Sequence, residues 1–237
     1  MKIHTCEQRS DEWYRLRIGM PTASEFHNIV TPTGAPTKGD RRNKYKFRLV
    51  AERLLKQSMD DRYESYWMRR AKELEPEARK AFVGFFHEHC NDIEQVGLMT
   101  TDDDKIGASP DGILRRNSRR LKEGLEIKCP SPWVQAEYLL EGLEDNYKPQ
   151  VQGQILVGGF RKMHLWCWHP NMPPVHVETV KDDDYVRKLA NELFHFCNEL
   201  DAETDRARRK GPYKLAELLR LSAEQRDDIP GTFPWLT

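Results

Sequence analysis

Two carboxylates and a lysine lie close together in the stretch from Gly107 to Pro130. Asp111 precedes Glu126 with 14 residues between them, and Lys128 follows Glu126 after one apolar residue. Successive side chains of a strand point to opposite faces, so Glu126 and Lys128 share a face if their segment is a strand. If the two apolar runs of this stretch pair as a hairpin, Asp111 reaches the same edge of the sheet.

Carboxylates that face one spot repel each other, and a proton or a metal ion relieves the repulsion. Ligands that are all oxygen favour a hard ion such as Mg²⁺ or Mn²⁺. A lysine beside such an ion can orient or deprotonate a water molecule, or neutralise charge on a phosphate. The pattern therefore fits phosphodiester cleavage. The chain is 32% charged, however, so the pattern also fits a solvated hairpin with an ion pair, and the motif alone does not choose.

Composition restricts the class of protein. At 237 residues the chain suits one domain with a sizeable core, and its 38 basic and 38 acidic residues give a formal net charge of zero. Any nucleic-acid surface must therefore be a local patch. There is no apolar run of membrane-spanning length and no apolar signal region near Met1, so we expect a soluble intracellular protein. Scattered cysteines without a C-x-x-C pair indicate reduced thiols: Cys6, Cys90, Cys129, Cys167 and Cys197.

Arg17 lies just before a predicted helix N-terminus. A short helix capped by Ser10 is expected to stop near Gly19, and Thr22 to Glu25 match a capping box that starts the next helix. Free N–H groups at a helix N-terminus, flanked by a guanidinium, form a good seat for a phosphate. In the alternative interpretation, Arg17 pairs with a surface acid and Thr22 merely caps the helix.

The strongest helical pattern spans residues 62–89. Glu75 projects beside its apolar stripe, where an ionised carboxylate needs a partner such as a metal ion or Arg79. The stripe stays in phase across Pro76, which favours one kinked helix, although two helices that meet at this proline also fit. The stripe consists of Trp67, Ala71, Leu74, Ala78, Phe82 and Phe85.

The run from His87 to Cys90 contains four consecutive residues that can bind a metal ion. Neighbouring helix residues do not face one point, and no partner pair follows at zinc spacing, so we interpret the run as core and helix end.

Residues 93–99 and 106–114 are expected strands that flank an acidic turn.

Two glutamines, Gln150 and Gln154, lie one turn apart on a predicted helix and share a face. They indicate either a polar contact directed inward or an ordinary helix surface.

Residues 41–57 form a predicted basic helix and residues 115–122 a basic loop. Both can follow a DNA backbone, and both can equally be solvated faces.

Five motifs occur in the order and approximate spacing of the lambda exonuclease family of phage recombination nucleases, the YqaJ-like viral recombinases. They are WYRLRIGMPTASEF, ELEPEAR, SPDGIL, LEIKCP and YKPQVQGQ, and the resemblance covers Gln8 to roughly Val180. Each motif is weak alone, but five in order are specific, so the chain resembles this family.

The resemblance implies an α/β fold, with a mixed sheet flanked by helices and a restriction-endonuclease-like PD-(D/E)xK nuclease core. It also implies a Mg²⁺-dependent exonuclease with two ions, for which Mn²⁺ can substitute. Such an enzyme degrades the 5′-ended strand of linear double-stranded DNA and leaves a 3′ overhang for recombination by strand annealing. Family members work as a homotrimer ring beside a single-strand annealing protein, and the implied setting is the bacterial host cytoplasm, for a phage or prophage protein.

The resemblance also assigns the catalytic residues. Asp111 and Glu126 match the metal-binding carboxylates, and the main-chain carbonyl of Ile127 matches a further metal ligand. Lys128 matches the catalytic lysine, and Glu75 matches the helix-borne acid of the second metal. Under these assignments a metal-bound water attacks the terminal phosphodiester in line while Lys128 orients it.

The resemblance further assigns the residues around the catalytic set. Arg17, Ser24 and Ser109 match the pocket for the 5′-phosphate, and Gln150 matches a glutamine that helps to hold the site. Ala71 departs from the family pattern, in which a glycine often precedes the helix-borne acid.

We expect a single nuclease domain over residues 1–210, and a C-terminal helix and apolar tail over 211–237 that pack on the body or on a neighbouring subunit. Two other functions remain open from the sequence. One is a structure- or sequence-specific endonuclease of the same core, and the other is a non-catalytic DNA-end-binding protein. An iron–sulfur nuclease would need a cysteine cluster, which the scattered cysteines do not provide.

Overall fold

The computed structural model describes residues 1–59, 65–143 and 145–210. The helices are α1 Asp11–Arg17, α2 Asp40–Leu55, α3 Tyr66–Phe85, α4 Pro132–Glu141, α5 Lys148–Gly158 and α6 Asp183–Lys210, with 3₁₀ helices at Ala23–Asn28 and Asp145–Tyr147. The strands are β1 Lys2–His4, β2 Asp92–Glu94, β3 Leu98–Thr100, β4 Gly107–Ala108, β5 Gly112–Arg116, β6 Arg119–Lys128, β7 Lys162–His169 and β8 Met172–Val180. The expected mixed α/β class is confirmed.

The main sheet has five strands in the order β2-β5-β6-β7-β8. All neighbours are antiparallel except β6 and β7, which run parallel and place Glu126 opposite Leu165. A parallel pair needs a long crossover, and α4 and α5 supply it. A second sheet of three short strands has the order β1-β3-β4.

Each face of the main sheet has its own apolar core. On one face, α3 contributes Phe82 to a cluster with Leu125 and Trp166, and the indole N–H of Trp166 donates to the carbonyl of Ala78 at 3.1 Å. On the other face, α5 covers the strands with side chains such as Ile155, and α6 packs on α5. Strand alternation thus buries residues 124–127 of β6 between the two cores, and every second side chain there faces α5.

Two sequence predictions about local structure need correction. The expected strand over residues 93–99 is two short strands, β2 and β3, which belong to different sheets. The expected strand over residues 106–114 is likewise split into β4 and β5. The break at Ser109–Asp111 contains Pro110, which has no N–H to donate to a sheet. These breaks let the chain pass from the small sheet to the main one.

A third correction concerns the segment after Thr22. It is a 3₁₀ helix of six residues, and the Thr22 side chain makes no capping hydrogen bond to it. The predicted capping box and its anion-binding helix N-terminus are therefore wrong. By contrast, Ser10 caps α1 by accepting from the N–H of Trp13, as predicted, and Pro76 lies inside the single helix α3.

The predicted helix and tail over residues 211–237 lie outside the described residues, so the proposed division of the chain stays a prediction. Among the residues that are described, no helix has both the length and the apolar character required to span a membrane.

Candidate active site

Strand β6 brings Glu126 to the α5 side of the sheet, because Leu125 and Ile127 alternate with it and pack into the α3 core. Glu126 is only 5% exposed. Its Oε1 accepts from Lys128 Nζ at 2.7 Å and from Gln150 Nε2 at 2.6 Å. A buried carboxylate needs such donors, and Glu126 has an ammonium and an amide on one oxygen.

Helix α5 supplies both glutamines to this carboxylate. Gln154 Nε2 donates to Glu126 Oε2 at 2.6 Å, and Gln150 Oε1 accepts from Lys128 Nζ at 3.3 Å. Residues one turn apart on a helix share a face, and here that face is directed at the sheet. The structure confirms the first interpretation of the glutamine pair, in which both side chains make polar contacts directed inward.

Asp111 lies in the break before β5 and is fixed by main-chain bonds to β6. Its N–H donates to the carbonyl of Leu125 at 2.9 Å, and its Oδ2 accepts from the N–H of Ile127 at 2.6 Å. Burial raises the pKa of the Asp111 carboxyl well above its usual range, and the negative charges of Glu126 and Glu75 raise it further. The protein therefore holds this carboxyl where its negative charge is costly without a cation.

Lys128 remains an ammonium in this arrangement. Burial lowers the pKa of Lys128, but the charge and the hydrogen bond of Glu126 outweigh burial, so the pKa is raised overall. The ammonium also lies 5.1 Å from the centre of the Tyr147 ring. Lys128 can thus neutralise charge and orient an oxygen ligand, and it cannot accept a proton at neutral pH while Glu126 holds it.

The donor set of Asp111 and Glu126 fits a hard divalent cation. Both side chains offer oxygen ligands, and the main-chain carbonyl of Ile127 belongs to the residue directly after Glu126. The raised pKa of Asp111 indicates a place where positive charge is favoured. Mg²⁺ prefers such carboxylate and carbonyl oxygens.

Glu75 lies on the other side of Asp111, on α3. Its carboxylate accepts from Arg9 Nη2 at 2.9 Å and from Arg79 Nη2 at 3.3 Å. Arg79 also donates to the main-chain carbonyl of Asp111 at 3.4 Å, which ties α3 to the break before β5. A cleft of ≈310 Å³ borders Glu75, Arg9, Arg79 and Asp111. Arg9 and Arg79 are therefore the partners that the Glu75 carboxylate requires beside the apolar stripe of α3.

Arg17 lies across the cleft from the carboxylates. Its guanidinium stacks on the Trp13 ring, 3.9 Å from the ring centre, and its Nη2 donates to Thr22 Oγ1 at 3.1 Å. The indole N–H of Trp13 donates to Ser109 Oγ at 3.0 Å, and Ser24 Oγ lies 3.5 Å from Thr22 Oγ1. Trp13 thus links Arg17 to Ser109, and Thr22 links Arg17 to Ser24.

One cleft of ≈180 Å³ collects nearly all of the predicted site residues, and Glu75 borders the neighbouring cleft instead. The walls of this cleft are Gln8, Arg9, Trp13, Arg17, Ser24, Ser109, Asp111, Glu126, Lys128, Gln150 and Gln154.

Sequence reasoning missed the part played by Gln8 and Arg9. The Gln8 amide donates to the carbonyls of Val96 and Pro110, both at 2.9 Å, and so holds the break from which Asp111 projects. These contacts join positions 88 and 102 residues apart. No local pattern in the sequence signals them.

Comparison with known proteins identifies structures that share the fold. The chain has the fold of an alkaline exonuclease from Laribacter hongkongensis, with a TM-score of 0.73, 26% identity, and coverage of 88% of this chain and 100% of that one. The complex of that enzyme with dAMP gives a TM-score of 0.74 at 26% identity and the same coverage. A phage-related exonuclease from Haemophilus somnus 129PT shares the fold at 14% identity and a TM-score of 0.57, with 78% of this chain and 96% of that chain covered.

The expected PD-(D/E)xK-like nuclease fold is confirmed by these structural matches. A comparison with curated protein sequences gave no match. The model of the YqaJ-like viral recombinase domain matches residues 12–161, which is more than half of the chain and contains every motif residue discussed above. The chain belongs to the YqaJ-like viral recombinase family.

Proposed function

We propose that this protein is a Mg²⁺-dependent exonuclease that degrades the 5′-ended strand of linear double-stranded DNA and leaves a 3′ single-stranded overhang. The observation that carries the proposal is the shared cleft. A carboxylate–carboxylate–lysine set lies at one side of it, and a guanidinium with two serines lies at the other. The names of the structural relatives, an alkaline exonuclease and a phage-related exonuclease, support the same class of reaction.

Asp111 and Glu126, with the Ile127 carbonyl, would hold the cation, and Glu75 would hold a second one. The bound ions, Mg²⁺ or Mn²⁺, would lower the pKa of a water molecule and stabilise charge on the phosphate. Lys128 orients the attacking water and offsets negative charge on the scissile phosphate. Gln150 and Gln154 fix the Glu126 carboxylate, so that neither Glu126 nor Lys128 has to reorganise when charge develops.

The position of Arg17 supports the proposed strand polarity. A guanidinium backed by the Trp13 ring and flanked by Ser24 and Ser109 suits a terminal phosphate, which a strand carries at its 5′ end. An end held there would place the first phosphodiester toward Lys128. The dAMP complex of the Laribacter enzyme supports a deoxynucleoside monophosphate as a ligand of this fold.

Family membership supports the remaining parts of the proposal. We propose that the chain forms a homotrimer ring on a DNA end and works beside a single-strand annealing protein in recombination. We place the protein in the cytoplasm of a bacterial host, as a phage or prophage product.

The test is digestion of linear duplexes that carry a label on either the 5′ or the 3′ end, with Mg²⁺ and with EDTA. We expect Mg²⁺-dependent release of 5′-label as mononucleotide, persistence of the 3′-labelled strand until late, and no cleavage of closed circular duplex. Cleavage of the circle would favour an endonuclease. Binding of ends without digestion would favour a non-catalytic end-binding protein.

A further inference from the structure

A second cluster of ligand side chains lies on the opposite face of the main sheet from the cleft. Glu123 on β6, His164 on β7 and His89 in the turn after α3 have ligand atoms that all lie within 4.8 Å of one another. His89 Nε2 is 2.7 Å and His164 Nε2 is 3.0 Å from the same oxygen, Oε2 of Glu123. Two histidines and one carboxylate thus converge on a single point.

Strand alternation separates this cluster from the catalytic residues. Glu123 has the parity of Leu125 and Ile127, whose side chains pack into the α3 core, whereas Glu126 and Lys128 face α5. No residue of the cluster borders the cleft that contains Asp111. The cluster is therefore not part of the proposed catalytic site.

The ligand types favour a borderline transition metal over Mg²⁺. Imidazole nitrogens suit Zn²⁺, and two histidines with one glutamate form a known set of three protein ligands for it, with water in the fourth position. In a tetrahedral Zn²⁺ site, ligand atoms about 2.0–2.1 Å from the ion lie roughly 3.3 Å from each other. The nitrogen-to-oxygen distances of 2.7 and 3.0 Å are slightly shorter, so a small outward shift of each side chain admits an ion.

The surroundings of His164 resemble the outer shell of a metal site. Its second nitrogen, Nδ1, lies 3.0 Å from His176 Nε2, and metal-bound histidines commonly donate through the nitrogen that does not bind the ion. The rings of Phe82 and Phe86 lie 5.5 and 6.1 Å from the His164 ring and form an apolar wall.

His89 is the member of the cluster that is most exposed to solvent. The His164 side chain is 3% exposed and that of Glu123 is 17% exposed, whereas that of His89 is 42% exposed. An ion can enter past His89 and keep a water molecule on that side. We propose that His89, Glu123 and His164 bind one transition-metal ion of the Zn²⁺ class, which fastens the turn after α3 to strands β6 and β7.

The primary experiment is calorimetric titration of the full chain with Zn²⁺ in excess Mg²⁺, so that Mg²⁺ occupies the oxygen ligands of the catalytic cleft. We expect one Zn²⁺ per chain. His89→Ala removes a ligand from a partly exposed position and should weaken binding by at least about 100-fold, since loss of an outer-shell partner alone costs about 10–100-fold. His87→Ala is the matched control, because His87 is exposed and lies two residues away in the same turn.

Two further measurements distinguish the alternatives. Zn²⁺ should raise the unfolding temperature of the wild type and of His87→Ala, and not that of His89→Ala. Co²⁺ should give visible bands without the near-ultraviolet absorption of a thiolate ligand, which excludes nearby Cys90 as the ligand. Equal Zn²⁺ affinity in wild type and His89→Ala would overturn the proposal, as would binding that Asp111→Asn abolishes and His89→Ala leaves intact.

Discussion

The main-chain N–H of Ile127 donates a 2.6 Å hydrogen bond to Oδ2 of Asp111. This bond fixes the Asp111 carboxyl against the main chain of β6, at the residue between Glu126 and Lys128. The backbone thereby fixes the position of Asp111 relative to the other residues proposed to be catalytic. A carbonyl oxygen of an amide can accept the same bond, so Asp111→Asn preserves the contact while it removes the charge.

We expect Asp111→Asn to stabilise the metal-free protein near neutral pH. The raised pKa of Asp111 means that the folded chain holds this proton to a higher pH than the unfolded chain does. Ionised Asp111 therefore lowers the free energy of unfolding above its folded pKa, and it has no such effect below the unfolded pKa of about 3.9. Thermal unfolding in EDTA should give the variant a higher Tm at pH 8, and the difference should vanish as the pH falls toward 4.

Mg²⁺ should reverse this order. The wild type gains stability from the ion, and the variant, which lacks a charged ligand, gains less, while its cleavage is lost. For a domain of this size, 1 kcal/mol corresponds to about 2–4 °C in Tm. A variant that is less stable than the wild type at every pH in EDTA would contradict the assignment of a costly buried charge to Asp111.

Lys128→Ala should abolish cleavage and leave DNA-end binding intact. The ammonium neutralises charge and orients water without contributing a metal ligand, so we expect the rate to fall by on the order of 100-fold or more. Single-turnover digestion together with end binding by fluorescence anisotropy measures both effects. Lys181→Ala, an exposed lysine paired with Asp183, is the control. Near-normal digestion by Lys128→Ala would remove this residue from the mechanism.

Glu75→Gln should raise the Mg²⁺ concentration required for half-maximal digestion. Glu75 is held by Arg9 and Arg79, so a cation that binds there must displace at least part of these ion pairs. The matched control is Glu77→Gln, which changes an exposed acid on the same helix. An unchanged Mg²⁺ dependence would mean that Glu75 serves only to position the arginines.

The strand positions of the site were predictable because β6 follows the period of two. Leu125 and Ile127 reach one core, and Glu126 reaches the other face. The inward face of α5 was predictable only as one of two alternatives, since a glutamine pair also suits a solvated helix. Only one of the two arginine partners of Glu75 was predictable from the sequence. Arg79 is one turn away on the same helix, but Arg9 comes from a distant loop.

The error at Thr22 has a physical reason as well. A capping box describes local bonding, and here the Thr22 hydroxyl accepts from Arg17 while its N–H donates to the Tyr45 hydroxyl. Tertiary contacts thus replaced the local cap, and the following segment packs against α5 as a short 3₁₀ helix. The proposed phosphate site of Arg17, Ser24 and Ser109 therefore depends on side chains and not on a helix N-terminus.

A closed ring predicts a mass in solution close to three times the 27.9 kDa of one chain. Closed cyclic symmetry is the usual form of soluble homo-oligomers, and a ring would enclose the duplex during digestion. Light scattering coupled to size exclusion measures this mass at working concentration. A monomer under those conditions would exclude the ring, although it would leave the catalytic assignments untouched.

The most specific prediction concerns Arg17. Its guanidinium is held by the Trp13 ring and Thr22, and the Trp13 indole also holds Ser109. The proposed phosphate site is therefore organised before any ligand binds. A guanidinium binds phosphate through charge-assisted, bidentate hydrogen bonds. Arg17 takes no part in bond breaking, and its effect should be to draw the strand end forward and fix its register.

Arg17→Ala should therefore slow digestion of 5′-phosphorylated ends by roughly 10- to 100-fold, the equivalent of one or two hydrogen bonds to a charged group. Digestion of 5′-hydroxyl ends should change much less, so the preference for phosphate should shrink toward none. Arg17→Lys should restore only part of the rate, because lysine supplies charge without the planar fork.

Initial rates on two duplexes that differ only in the terminal phosphate provide the measurement. Arg15→Ala is the matched control, since Arg15 lies on the same helix with a side chain that is 73% exposed. If Arg17→Ala lowers both rates by one common factor, Arg17 is a structural residue or a general DNA contact. In that event the shared cleft would still contain the catalytic groups, but the strand end would have to be held by other residues.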